Sequence, residues 1–72
     1  MIRVECTASG LTGPGDPVAI WFGERRVDVD EVTDRWYGSD QRWWKVRTTD
    51  GLYILRLDES TRTWELAAVV RE

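Results

Sequence analysis

The stretch that decides the fold is residues 43–58, which reads WWKVRTTDGLYILRLD. Asp-Gly between two apolar-rich segments is the strongest short signal for a β-hairpin, because a type I′ turn needs positive φ at both central positions. With Asp50 and Gly51 as the loop, one face of the hairpin is apolar and the other mostly charged, as pleat geometry requires. The predicted pairs are Thr48 with Tyr53, Val46 with Leu55 and Trp44 with Leu57 on the apolar face, and Arg47 with Ile54, Lys45 with Arg56 and Trp43 with Asp58 on the charged face.

The same alternation extends beyond the hairpin on both sides. Towards the C-terminus it pairs Leu57 with Trp64, Leu55 with Leu66, Tyr53 with Ala68, Arg56 with Glu65 and Ile54 with Ala67. Towards the N-terminus it pairs Tyr37 with Trp43, Arg35 with Lys45 and Thr33 with Arg47, and it sets Trp36 beside Trp44 and Val32 beside Thr48 in the core. Asp34 then falls on the core side, which indicates a bulge or a sheet edge at that residue.

Two segments of the N-terminal half also alternate with a period of two, which is typical of half-buried strands. Their apolar residues are Ile2, Val4 and Cys6 in the first and Val18, Ile20 and Phe22 in the second. Residues 9–17, between them, are rich in glycine and proline and are predicted to form a loop. Gly23-Glu24 then indicates the tight turn of a hairpin that leads into Val27 and Val29.

Residues 27–36 carry a change of parity, because Val32 and Trp36 are out of phase with Val27 and Val29. The chain must therefore bend, bulge or turn between Val29 and Val32. We prefer a strand here, and a short helix with the acidic residues on one side is the alternative. Many short strands favour an all-β, mostly antiparallel fold, a small curled meander or SH3-like barrel of about five to six strands. We expect a single β domain over residues 1–72.

Composition and charge narrow the class of protein. Five Trp, two Tyr and one Phe in 72 residues supply the bulk that a small core needs. The net charge is −3, from 10 Lys and Arg against 13 Asp and Glu, which argues against a protein that binds nucleic acid through bulk charge. Any anionic polymer would have to meet a local patch of cations.

The sequence also indicates a compartment. The single cysteine, Cys6, excludes an internal disulfide and with it a secreted disulfide scaffold. No apolar run approaches the roughly 20 residues that span a bilayer. The first residues lack the apolar stretch of a signal peptide. We therefore expect a cytoplasmic protein, bacterial in style, with no membrane partner.

Equipment for catalysis is sparse. There is no His, so the most common general base near neutral pH is missing. Cys6 shares the parity of Ile2 and Val4, which favours a core thiol over a nucleophile. The acidic residues do not match the EF-hand spacing, so a solvated acidic surface is favoured over a weak divalent-cation site; they are Asp28, Asp30, Glu31 and Asp34. Residues 10–15 lack the Lys-Ser/Thr ending of a P-loop. We expect neither an enzyme nor a cofactor.

One group of residues points to binding. In the predicted register, five side chains share the charged face of the middle strands; they are Arg35, Tyr37, Trp43, Lys45 and Arg47. Aromatic planes interleaved with cations suit single-stranded nucleic acid, because bases stack on the rings while the cations neutralise phosphates. Three other interpretations stay open: cations lying over exposed rings with no ligand, contact with another protein, and a homodimer interface.

Residues 23–72 resemble a small uncharacterised bacterial domain. The resemblance is carried by the following residues: Arg26-Val27, Val32, Trp36, Trp43 to Thr48, Asp50 to Tyr53, Leu55 to Asp58, and Trp64 to Leu66. That domain also occurs at the C-terminus of Y-family polymerase-like proteins of the ImuB type. The resemblance implies a shared fold and an accessory role linked to DNA repair. It implies no established activity that could be assigned to this chain.

Together, these observations predict a non-catalytic interaction module. In the first hypothesis it contacts single-stranded nucleic acid as an accessory in DNA repair. In the alternative hypothesis it is a structural dimerisation or protein-docking domain that uses the same exposed aromatic face. The two hypotheses differ in their dependence on salt, since counterion release drives nucleic-acid binding.

Overall fold

The structure, a computed structural model, describes residues 2–7 and 15–70. They form six strands, which are β1 (Arg3–Cys6), β2 (Pro17–Phe22), β3 (Arg25–Tyr37), β4 (Gln41–Thr48), β5 (Gly51–Asp58) and β6 (Thr63–Val70). Each strand pairs antiparallel with the next, so the order in the sheet is the order in the chain. The predicted all-β, antiparallel curled meander is confirmed. Residues 2–7 and 15–70 contain no helix that could cross a membrane.

The long strand β3 is where the sheet curls. Its first four residues pair with β2, and the segment from Val29 to Tyr37 pairs with β4. The register of β3 against β4 shifts between Val29 and Glu31 and again between Val32 and Asp34. Bulges bend a strand and increase its twist, so these two help to curl the sheet into a half-barrel. The preferred strand over residues 27–36, and the irregularity predicted within it, are both confirmed.

The inner side of the half-barrel holds the core. Its buried cluster consists of Ile20, Val27, Trp44, Val46, Tyr53, Leu55 and Leu57. Phe22 packs edge-on against Tyr53, with ring centroids 5.9 Å apart, and Trp44 tilts against Trp64 at 5.0 Å. Such aromatic pairs add about 0.5–1.5 kcal/mol each beyond the area that they bury. Val4 of β1 and Leu66 of β6 also pack against this cluster, so all six strands contribute side chains to the core.

The turn between β4 and β5 differs from the predicted one. Thr48 pairs with Gly51, so the central residues of the turn are Thr49 and Asp50. Within this turn, positive φ falls on Gly51 (115°), which begins β5. The Thr48 hydroxyl accepts a hydrogen bond from the Asp50 N–H at 3.0 Å and donates one to the Gly51 carbonyl at 2.8 Å. A turn followed by a glycine with positive φ is another common hairpin connection.

This turn moves every β5 partner two residues towards the N-terminus of β5. Lys45 faces Ile54 rather than Arg56, Trp44 faces Leu55 rather than Leu57, Trp43 faces Arg56 rather than Asp58, Val46 faces Tyr53 rather than Leu55, and Arg47 faces Leu52 rather than Ile54. A displacement by two residues leaves each side chain on its original face, because the side-chain period is two. The predicted faces of β4 and β5 are therefore right although the predicted partners are wrong.

The predicted pairing of β3 with β4 is wrong. Trp36 faces Trp43, Arg35 faces Trp44, Tyr37 faces Arg42, Glu31 faces Arg47 and Val32 faces Val46. The reason is Thr33, an extra residue between Val32 and Asp34 that inverts the faces of the residues after it. Asp34 thereby turns outward opposite Lys45, which confirms the bulge predicted there. Trp36, predicted to lie in the core, is 43% exposed.

The outer strands agree with the sequence only in part. Three predicted pairs of β5 with β6 are confirmed (Leu57 with Trp64, Arg56 with Glu65 and Leu55 with Leu66), but a register shift then sets Tyr53 opposite Val69 and Ile54 opposite Ala68. Val18 leaves the predicted alternation and is 38% exposed. Of the predicted loop 9–17, residues 9–14 lie outside the described residues. Its last residue, Pro17, is buried and begins β2, a position where strands accept proline.

Candidate functional site

Side chains on the outer side of the sheet form the candidate site. Along β4, Trp44, Val46 and Thr48 are buried on the inner side, which leaves the alternate side chains facing outward. The strand register shows which side chains lie beside those of β4. Trp36 of β3 is directly opposite Trp43, and Ile54 of β5 is directly opposite Lys45. We call these four residues the outer aromatic surface: Trp36, Trp43, Lys45 and Ile54. They come from three adjacent strands, so the sheet itself holds them in place.

The turn between β3 and β4 fixes the position of Trp43. Gly38 donates its N–H to the Gln41 carbonyl at 2.8 Å, and Asp40 takes a positive φ of 61°. A Cβ atom at Gly38 would lie 2.9 Å from Cζ3 of Trp43, so only glycine lets the indole lie directly against this backbone. Trp43 is consequently half-buried, whereas Trp36 beside it is 43% exposed.

The arginines around this surface are paired with carboxylates. Arg47 Nη1 lies 3.0 Å from Glu31 Oε2, and the guanidinium of Arg56 binds Glu65. Each carboxylate belongs to the neighbouring strand and faces its arginine in the register. These ion pairs neutralise the charges of Arg47, which the sequence predicted as a ligand for phosphates, and of Arg56. Lys45 makes no ion pair within residues 2–7 and 15–70, although Asp34 is its partner in register.

The predicted set of five binding residues is divided between the two sides of the sheet. Trp43, Lys45 and Arg47 share the outer side as predicted, but Arg35 and Tyr37 lie on the inner side, opposite Trp44 and Arg42. The shared face predicted for all five is therefore wrong, because the bulge at Thr33 inverts the end of β3. Whether any of the five binds a partner stays a prediction.

Arg35 and Tyr37 have partners of their own. Arg35 Nε donates to Asp16 Oδ1 at 2.9 Å, and a second bond from Nη2 makes the pair bidentate. Hydrogen bonding from Arg35 lowers the pKa of the Asp16 carboxyl below its ordinary value, and a hydrogen bond from Trp44 adds to this effect. Tyr37 is 69% exposed, and the Arg42 guanidinium lies 5.2 Å from its ring centroid. These contacts join the β1–β2 connection to β3, and the end of β3 to β4.

Sequence reasoning missed Trp36, Gly38 and Ile54 as parts of the site. Asp34 was the sign that Trp36 faces outward, because strict alternation puts both residues on the core side and a carboxylate does not belong there. One extra residue at Thr33 turns both side chains outward at once. No comparable signal marks Gly38, since the contact with Trp43 depends on the shape of the turn.

The chemistry of the described residues elsewhere is modest. Burial raises the pKa of the Cys6 thiol, and the charge of Asp16 raises it further, so the thiol stays protonated at neutral pH. No group of three or more His, Cys, Asp or Glu is arranged to hold a metal ion within the described ranges. A cleft of about 720 Å³ lies beside the β4–β5 turn, where Thr48, Asp50 and Tyr53 line it. The Thr48 hydroxyl donates to the Gly51 carbonyl, and the Asp50 carboxylate accepts hydrogen bonds from Arg25 and from the Tyr53 hydroxyl.

The chain matches no family model, no curated protein and no solved structure with which it was compared. The resemblance to the small bacterial domain of ImuB-type proteins therefore stays an expectation.

Proposed function

We propose that this chain is a non-catalytic protein-interaction module that contacts its partner through the outer aromatic surface. The observation that carries the proposal is an apolar group made by Trp36, Trp43 and Ile54. It is bordered by Lys45 and by the ion-paired Arg47 and Arg56. Protein interfaces share this composition, with aromatic side chains in the middle and charged groups at the edge. We further propose that it works in a reducing cytoplasm, in keeping with its single half-buried thiol.

Rigidity supports the same conclusion. Trp36 and Trp43 stand on paired strands, and the contact with Gly38 restricts the indole of Trp43. A side chain that is ordered before binding loses less conformational entropy when the complex forms. Trp36 is the exposed member of the pair and tryptophan is enriched among interface hot spots, so it is the expected anchor.

The chemistry of the partner follows from the charges around the surface. Because Arg47 and Arg56 are already paired with carboxylates, a polyanion would have to displace Glu31 and Glu65 to reach them. An apolar or aromatic side chain of another protein needs no such displacement. The proposed partner is therefore a protein segment that covers Trp36 with apolar side chains, and its affinity should change little with salt.

Single-stranded nucleic acid is the second candidate, and one observation favours it. Lys45 lies next to Trp43 along the outer side and has no ion pair among the described residues. A ring for stacking beside a free ammonium group is a minimal unit of single-strand binding. One or two phosphate contacts would give a shallow salt dependence, because the slope is about −0.7 per phosphate. A role in DNA repair, as the sequence resemblance implies, is part of this candidate.

Two exposed aromatic residues from the same strand provide a matched pair of variants for testing the proposal. Trp36→Ala removes the anchor on the outer side, whereas Tyr37→Ala removes a still more exposed ring on the opposite side. A partner captured by the wild-type chain is purified, and its affinity for the three proteins is measured at low and moderate salt. We expect Trp36→Ala to weaken binding by about 2 kcal/mol, or roughly 30-fold in Kd, and Tyr37→Ala to have little effect.

The opposite ranking of the two variants would refute the proposal. A tryptophan-fluorescence titration with a short oligo-dT, at the same two salt concentrations, separates the second candidate. Saturable quenching that fades with salt, and that is lost in Lys45→Ala, would favour nucleic acid. Absence of quenching at low salt would leave the protein partner as the proposed ligand.

A further inference from the structure

Strand β6 forms one edge of the sheet and has little protection. Within the described residues it pairs with β5 alone. Its eight residues, TWELAAVV, include one charged side chain, Glu65, and no Lys or Pro. An exposed edge strand presents a row of unpaired N–H and C=O groups, and charges, prolines or shortness are the usual means of keeping other strands away.

The opposite edge shows these protective features. Strand β1 has only four residues, and two of them, Arg3 and Glu5, are charged and exposed. Its register also shifts between Glu5 and Cys6, so its pairing is irregular. The two edges therefore differ in length and charge, because β1 is short and carries two exposed charges, whereas β6 has eight residues and one charge. Both strands contain a register shift, so irregular pairing does not distinguish them.

We propose that β6 pairs antiparallel with β6 of a second copy of this chain, forming a weak homodimer with one continuous sheet. The bulge at Ala67 makes β6 complementary to itself. It leaves Leu66 opposite Leu55 and Val69 opposite Tyr53, so both face inward, while Glu65 and Val70 both face outward. A two-fold axis between Ala67 and Ala68 then sets Leu66 against the second copy's Val69 and Glu65 against its Val70, and the faces match in both pairs.

Charge agrees with this arrangement. In the proposed register Glu65 meets the second copy's Val70, and the two Glu65 positions are five residues apart along the strand. At about 3.3 Å per residue that separation is roughly 16 Å. It exceeds the Debye length of about 10 Å at 0.1 M salt, so the carboxylates repel each other little. Each is also bound to Arg56 of its own chain.

The dimer is expected to be weak and reversible. A strand of eight residues is about 26 Å long, so edge pairing covers less than the roughly 1,200 Å² of a standard stable interface. Val69, now 50% exposed, would be covered by the second copy. This inference goes beyond the proposed function, since it uses a different surface and leaves the outer aromatic surface free for a partner.

Sedimentation velocity across micromolar to millimolar protein concentrations tests the proposal. The wild-type sedimentation coefficient should rise with concentration and fit a monomer–dimer equilibrium. Val69→Lys sets a charge on the open edge and should keep the chain monomeric throughout. Val18→Lys is the matched control, because Val18 is also exposed (38%) but belongs to β2, which lies within the sheet. This variant should dimerise as the wild type does.

Hydrogen exchange of the unmodified chain gives a second readout that does not depend on any variant folding. Amides of β6 should exchange more slowly at high protein concentration, with no such change in β1. A wild-type chain that stays monomeric at all concentrations would overturn the proposal. So would a dimer that survives Val69→Lys and is lost in Trp36→Ala, a result that would instead support self-association through the outer aromatic surface.

Discussion

Substitution of Gly38 by alanine tests how the β3–β4 turn holds Trp43. The new Cβ would lie 2.9 Å from Cζ3 and 3.1 Å from Cη2 of the indole, whereas carbon atoms pack best at about 3.5–4.0 Å. The ring must therefore move by roughly 0.5–1 Å. Gly38 is not among the glycines with positive φ, so the substitution adds crowding without strain in the backbone.

The expected loss of stability can be estimated from this crowding. Overpacking a well-packed site costs typically about 1–3 kcal/mol. The indole of Trp43 is half-buried and can yield towards solvent, so we expect the lower part of that range, about 1–2 kcal/mol. For a domain of this size, that corresponds to a fall in Tm of roughly 4–16 °C.

A double-mutant cycle makes the estimate specific. Urea unfolding followed by far-UV circular dichroism gives the free energy of unfolding for wild type, Gly38→Ala, Trp43→Leu and the double variant. Leucine lacks the atoms that the new Cβ meets, so Gly38→Ala should cost less than about 0.5 kcal/mol in that background. An equal cost in both backgrounds, or no cost in the wild type, would refute the proposed contact.

Three further predictions concern contacts outside the outer aromatic surface. Asp16→Asn should lower the free energy of unfolding by about 0.5–1 kcal/mol near neutral pH, a small loss because the ion pair with Arg35 is exposed to solvent. Folding lowers the pKa of Asp16, so the difference between wild type and variant should vanish as the pH falls through that pKa. Thermal unfolding over a range of pH measures this difference. Cys6 should react with a disulfide reagent more slowly than a free cysteine at neutral pH and accelerate only in alkali, because burial raises its pKa. Thr33→Val should cost about 1 kcal/mol in urea unfolding, and Thr33→Ser much less, because the hydroxyl donates to the Lys45 carbonyl at 3.2 Å.

Alternation predicted which side chains of β4 and β5 are buried, and the reason is that burial depends on parity alone. Moving the turn from Asp50-Gly51 to Thr49-Asp50 changed every partner and no face. The position of the turn could not be read from the sequence, because Gly51 supplies positive φ equally well inside the loop or just after it. Burial was thus easier to predict than register.

Bulges set the limit of prediction for the candidate site. A bulge adds one residue to a strand, so every later side chain of that strand points to the opposite side of the sheet. The position of the added residue has no periodic pattern in the sequence that would reveal it. Trp36 was predicted to be buried and Arg35 to be exposed on the outer side; the extra residue at Thr33 exchanged their sides. Asp34 was the single local sign of it, since a lone carboxylate does not belong in an apolar core.

The same bulges link the fold to its proposed use. Without the bulge at Thr33 alone, alternation from Val32 would turn Trp36 inward, and the outer side would carry Tyr37 and Arg35 instead. A sheet without such bulges would also twist less, so it would enclose a smaller core. The residue that exposes Trp36 therefore also helps to curl the sheet, and an aromatic surface on the outer side follows from how this chain closes its core. A substitution that removed the bulge would change both, which is why Thr33 is expected to matter for binding although it lies outside the surface itself.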